Sequence, residues 1–241
     1  MSDKKFKILL VSPISEYKDY VLHAWIPYIK SLQRSYTSGI VSLDIMLCDN
    51  SKNANYHKQL SRKYKINIMH MDPMFMNSRE FICESRNRLA EYFLDGTWDR
   101  MLSLECDLFP HEHFLTELIA HNKKIVSFPY FIGQGEQSSP MLNVVDTSPE
   151  APVSTRNITE IEMFHYAGKV MPVFNAGLGC TLIKRSVIEK FEFRWDPEIF
   201  YHDDSFFAED VYNANIRWYC DFTKFIRHLN QPWNYFPENK F

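Results

Sequence analysis

The sequence predicts an α/β fold: a central mixed β-sheet with helices packed on its faces. Short apolar runs rich in β-branched residues alternate through the first half with stretches whose apolar residues recur at helical spacing. The composition is that of a globular chain, 45% hydrophobic and 24% charged over 241 residues. That length supports one domain over 1–241, with halves of about 1–110 and about 111–241.

Taken in order, residues 7–12 form a first apolar strand, followed by an amphipathic helix over 17–34 that aligns Val21, Trp25, Tyr28, Ile29 and Leu32 on one face. Strands over 43–48 and 66–71 precede a helix over 79–94, for which Asn77 and Ser78 offer an N-cap. A strand over 100–106, a helix over 112–122 and a strand over 124–129 come next. From 133 to 156 the chain turns to Gln, Gly, Ser, Pro, Thr and Asn without periodicity, which predicts a mobile loop able to act as a lid. Strands over 170–174 and 180–184 then precede a short helix opened by the Ser186–Glu189 capping box. A helix over 208–217 and a last strand over 220–228 complete the pattern.

Composition also excludes functions. The chain holds only 7 glycines and contains neither G-x-G-x-x-G nor G-x-x-x-x-G-K-[ST], which argues against a Rossmann dehydrogenase and a P-loop nucleotidase. A net charge of -3 disfavours nucleic acid as a partner. The 5 cysteines are odd in number and lack a C-x-x-C pair, so they read as reduced thiols. Neither a secretion signal nor an apolar run of about 20 residues is present, so the expectation is a cytoplasmic protein without a membrane span.

The segment richest in chemistry is Arg100–Pro110, where an apolar strand ends in Glu105 and Asp107 with Cys106 between them. Strand periodicity puts both carboxylates on one side at the strand's carboxyl end, the edge at which open α/β sheets bind ligands. Hard oxygen ligands there suit Mg2+ or Mn2+ held together with substrate phosphates. Cys106, a soft thiol, is expected to pack inward.

This segment and six others, in order and spacing, resemble the nucleotide-sugar glycosyltransferases of the GT-A fold, in particular their broad family 2-like group. The stretch Ile8–Pro13 resembles the family's first strand and Asp44–Ser51 its second; Arg86-Asn87 is similar to its Arg-Asn pair, and Leu104–Pro110 to its D-x-D motif. Phe174–Arg185 resembles its small-residue turn and following strand, and Phe207–Tyr212 its x-E-D motif, with Arg227-His228 closing the set.

The resemblance implies a Rossmann-like mixed sheet and a metal-dependent transfer of sugar from a nucleoside-diphosphate sugar to an acceptor hydroxyl, with inversion. Ser12, Pro13, Asp49, Arg86 and Glu105 would bind the donor nucleotide, and Asp107 and His228 would hold Mn2+ or Mg2+. Gly177, Gly179, Trp195 and Asp204 would line the acceptor side. Asp210 is the implied general base at the start of a helix, with Glu209 orienting the acceptor; Glu209 and the Asp203-Asp204 pair compete for the base role. A UDP-sugar is the favoured donor, with GDP- and TDP-sugars as alternatives, and the acceptor is a glycan or another hydroxylated molecule. A sugar-phosphate nucleotidyltransferase and an inactive binding module are the competing readings.

Overall fold

The computed structural model describes residues 5–37, 39, 41–72, 76–133, 139–146 and 154–229. Alternation of apolar side chains along each central strand divides the interior into two layers. In β1 (Phe6–Ile14), Ile8 and Leu10 face one cluster while Leu9 and Val11 face the other. The first face is covered by α1 (Asp19–Thr37), through Leu22, Trp25, Ile26 and Ile29, and by α4 (Phe114–Ala120). The second is covered by α3 (Ser78–Asp95), through Leu89, Ala90 and Phe93, and by α7 (Asp203–Asn213), through Phe207, Ala208 and Val211.

Eight strands form the sheet. Its first half pairs in parallel: β1 lies between β2 (Val41–Asp49) and β4 (Arg100–Leu104), and β3 (Ile68–His70) forms the edge beyond β2. The connections from β1 to β2 and from β2 to β3 run through α1 and α2 (Tyr56–Tyr64), and α3 leads back to β4. Beyond β4 comes β12 (Cys180–Lys184), antiparallel to it and to β6 (Ile125–Ser127). The sheet is completed by β13 (Trp218–Asp221) and β11 (Val170–Val173). The two halves of the chain therefore share one sheet; β1 and β2 end side by side at Ile14 and Asp49, and β4 pairs with β1 as far as Val11 opposite Ser103.

Several expectations are corrected. The strand expected over 220–228 is two: β13 in the main sheet, and β14 (Arg227–His228), which pairs with β5 (Leu108–Phe109) beside the site. The helix expected over 208–217 starts five residues earlier, at Asp203. The Ser186 capping box is not formed, because α6 (Arg185–Ile188) already begins at Arg185. Asn77 does cap α3, in a full capping box with Glu80. The helix α2 and the capped helix α5 (Glu160–Tyr166) fall where no element is expected.

In the segment expected to be a lid, residues 134–138 and 147–153 lie outside the described residues. The described part and its flanks contain two short antiparallel pairs. Phe131–Ile132 (β7) pairs with Ser139–Pro140 (β8), and Asn143–Asp146 (β9) with Ser154–Asn157 (β10). Leu142 and Val144 are buried in the second cluster, so this stretch is anchored to the core at two apolar side chains that its polar composition conceals.

The turn after β4 is held from below by α1. The buried Trp25 donates its indole Nε1–H to the carbonyl of Leu108 at 3.0 Å. Replacing Trp25 by Phe keeps an aromatic ring but leaves that carbonyl without its donor, so urea unfolding should show a loss of about 1–3 kcal/mol. A variant of unchanged stability would mean that the bond does not anchor the turn.

Candidate active site

At the carboxyl edge of β1, β2 and β4 the chain gathers acidic side chains that apolar surroundings would not tolerate unpaired. The strand β4 stops at Leu104, and Glu105 enters a tight turn in which its N–H donates to Gly179 O at 2.8 Å and its carbonyl accepts from Leu108 N at 3.1 Å. The turn brings Asp107 into the interior, 2% exposed, and Cys106 packs into the first cluster.

One oxygen of Asp107 receives two nitrogen groups, an ammonium and an imidazole. Lys18 Nζ, from the 3-10 turn Glu16–Lys18 after β1, lies 2.6 Å from Oδ2, and His228 Nε2 lies 3.3 Å from it. Burial works against the charge on Asp107, but the His228 hydrogen bond and the Lys18 ammonium outweigh it and hold the carboxyl down at about 2. Burial likewise opposes the proton on His228, and the bond to Asp107 overcomes it, so His228 titrates above its usual value. The His228 ring is oriented by Nδ1, which lies 2.7 Å from the carbonyl of Phe131, and by Tyr130, whose ring meets it edge-on at 5.7 Å.

Arg86 on α3 ties two further acids together. Its Nη1 is 2.5 Å from Asp203 Oδ1 and its Nη2 is 3.2 Å from Glu105 Oε1. Asp203 and Asp204 open α7 and are both buried. Asp203 Oδ2 has no hydrogen-bond partner among the described residues. Burial, and then the neighbouring Asp203 charge, push Asp204 above the usual carboxylate range, while Arg86 pulls the other way.

Glu209 and Asp210 lie elsewhere than expected. Asp210 sits in the second half of α7 rather than at its start, and Arg194 clamps it from Nε at 2.9 Å and Nη2 at 3.0 Å, with Glu209 3.1 Å from the same Nη2. The helix-start argument for Asp210 is therefore corrected: the dipole's positive end faces Asp203 and Asp204.

The other predicted positions are as follows. Ser12 is buried on β1 with its hydroxyl donating to the Pro13 carbonyl at 3.1 Å, and Pro13 lies opposite Cys48 in the sheet. Asp49 ends β2, with Oδ1 accepting from the amide and hydroxyl of Ser51. Gly177 has φ of 64°, and both Gly177 and Gly179 give room to a side chain rather than to open space: a Cβ would stand 2.5 Å and 2.6 Å from the Tyr130 hydroxyl oxygen. Trp195 packs against the second cluster. Lys18, Tyr130, His57 and His70 escape the sequence reading. A lysine just past the first strand, at the ligand edge, is the signal that could have found Lys18; nothing local marks the other three.

No protein-family model matches the sequence, and no curated protein matches it. Solved structures do. TarS from S. aureus, residues 1–349 in complex with UDP-GlcNAc, is similar with a TM-score of 0.56 and 12% identity, covering 94% of this chain and 59% of that one. Glucosyl-3-phosphoglycerate synthase from Mycobacterium tuberculosis, in complex with phosphoglyceric acid, is similar with a TM-score of 0.53 and 12% identity over 95% of this chain and 74% of that one. A mycobacterial protein has a TM-score of 0.56 and 12% identity, with 97% and 71% covered. The fold of this chain is the GT-A fold of glycosyltransferases. No helix among the described residues is long and apolar enough to cross a membrane.

The Asp107–His228 pair has a definite pH signature. A raised histidine stabilises the fold fully below its unfolded value of about 6.5 and ceases to do so as pH rises through its folded value. The depressed Asp107 acts at the other end: its stabilisation is present above its unfolded value of 3.8 and is lost as pH falls toward about 2. With chelator present, urea midpoints between pH 6 and 9 should fall in the wild type and lose this component in Asp107→Asn. Equal slopes in the two proteins would show that the pair is not formed.

Proposed function

We propose that this protein is a nucleotide-sugar glycosyltransferase that moves a sugar from a nucleoside-diphosphate donor to an acceptor hydroxyl in a single inverting displacement. The observation that carries the reading is the convergence, at one sheet edge, of a buried cation-binding carboxylate, Asp107, and a buried acidic pair, Asp203 and Asp204, that opens a helix. The likeness in fold to a protein complexed with UDP-GlcNAc supports a UDP-sugar as donor.

Asp49 is suited to accept from the donor's base, and Ser12 and Pro13 to line the nucleotide on β1. Asp107 and His228 fit a divalent ion. With Nδ1–H of His228 donating to the Phe131 carbonyl, Nε2 is the ring atom that would hold Mn2+ or Mg2+, in place of a proton shared with Asp107. When bound, the ion supplies charge neutralisation to the diphosphate as it leaves. Lys18, held 2.6 Å from Asp107 with its side chain 35% exposed, adds a positive charge that can meet the phosphates.

Asp204 is the general base in this proposal, in place of Asp210. It is buried at the positive end of α7 and raised toward the working pH, which suits a group that must take a proton from a hydroxyl. Arg86 positions it indirectly by fixing Asp203 and Glu105. Asp203 Oδ2, buried and unpartnered, is an acceptor for a substrate hydroxyl. Glu209 and Asp210, neutralised by Arg194, fill a structural role at the far end of the helix. Gly177 and Gly179 act through Tyr130, which they admit against His228.

Two measurements test this. Calorimetry should show UDP or a UDP-sugar binding in the presence of Mn2+, with binding lost on chelation or in Asp107→Asn; failure of UDP, GDP and TDP alike would refute the donor assignment. Asp204→Asn should lower transfer by roughly 10²–10⁴ with donor affinity retained, whereas Asp210→Asn should transfer at near wild-type rate. The reverse pattern returns the base to Asp210, and a product that retains the donor's configuration rules out single displacement.

A further inference from the structure

A second cluster of ligating groups lies at the outer part of the same sheet edge, away from Asp107. Asp49 ends β2, His57 is the second residue of α2, and His70 ends β3. Their ligand atoms all lie within 4.8 Å of one another. Asp49 Oδ2 is 3.1 Å from His70 Nδ1 and 4.0 Å from His57 Nδ1, and the two rings stack with centroids 4.8 Å apart and planes inclined by 12°.

We propose that Asp49, His57 and His70 form a site for one borderline divalent ion of the zinc type. Two imidazole nitrogens and one carboxylate oxygen suit zinc or cobalt better than the hard ions Mg2+ and Mn2+. Tetrahedral bonds of about 2.0–2.2 Å put ligand atoms roughly 3.4 Å apart, so Asp49 Oδ2 and His70 Nδ1 already stand at about the right spacing, while the stacked His57 ring must tilt and move closer to aim Nδ1 at the same ion. Asp49 is already oriented for this: Oδ1 is held by the amide and hydroxyl of Ser51, which leaves Oδ2 to face the two rings.

A simple Asp–His hydrogen bond accounts for His70 but not for His57. The His57 Nδ1 atom is buried, faces the same oxygen, and has no hydrogen-bond partner among the described residues. One ion satisfies all three atoms at once. Entry is open, since the side chains of His57 and His70 are 18% and 17% exposed while that of Asp49 is fully buried. The fourth position is left for water or a small ligand. This site does not depend on the proposed transfer activity, but it shares Asp49 with the proposed base pocket, so it is tested without nucleotide.

Titration of the full chain, stripped with chelator, with Co2+ and then Zn2+ should show one equivalent bound at this site, with the visible absorption of four-coordinate cobalt. His57→Gln and His70→Gln should each weaken that binding by at least about tenfold, while Asp107→Asn leaves it intact. Absence of stoichiometric binding, or wild-type affinity in both histidine variants, would overturn the proposal, as would loss of the cobalt signal in Asp107→Asn alone. Should either histidine variant fail to fold by circular dichroism, anomalous scattering at the zinc edge from wild-type crystals decides. A peak between the three residues supports the site, and a peak elsewhere or none removes it.

Discussion

The Arg86 guanidinium is the interaction on which the site depends. It rises from α3 inside the protein, where a lone positive charge is not tolerated, and it finds Glu105 after β4 and Asp203 at the head of α7. One side chain thus joins the two halves of the chain at the edge where their elements meet. Burial alone would favour the neutral acids at this edge, and the guanidinium keeps the balance of charge that lets several carboxylates stand close together. Removing one partner from such a buried arrangement is far more costly than never having built it, so the spacing of α3, β4 and α7 is tied to this contact.

The same logic governs Asp107. Its carboxylate is surrounded by protein, and two groups from distant segments, the Lys18 ammonium and the His228 imidazole, supply the compensation. The short pairing of β14 with β5 exists to bring His228 there, and the glycines of the 177–179 turn let Tyr130 pack against its ring. A site built this way sets a half-buried lysine ammonium on one side of the carboxylate and an imidazole ring held by a backbone carbonyl on the other.

The acidic residues of α7 illustrate how a helix sorts similar motifs. Asp203-Asp204 and Glu209-Asp210 are six residues apart, which sets them about 120° apart around the helix axis and roughly 9 Å apart along it, so they face different surroundings. One pair meets Arg86 in the interior and the other meets Arg194 near the surface. His202, the residue before the helix, makes no side-chain cap, so the sequence carries no conventional start signal, and the helix is read five residues late. The x-E-D resemblance points to the second acidic pair as the head of a helix, and the late reading agrees with it; the structure puts the first pair there.

Local rules determined much of this protein in advance. Period-two and helical patterns located the central strands, α1 and α3, and the abrupt end of an apolar strand in Glu105 and Asp107 marked the ligand edge. The cap at Asn77 was legible because its partners are within three residues. What tertiary structure decided is every contact whose partners are far apart in the chain. Lys18 meets Asp107, Arg86 meets Asp203, His57 and His70 converge on Asp49, and Leu142 and Val144 carry a polar loop into the core. Composition and periodicity record which face a residue turns to its own element's neighbours. They cannot record which distant charge will balance it, because that depends on the sheet order that places β1, β2, β4 and the start of α7 side by side.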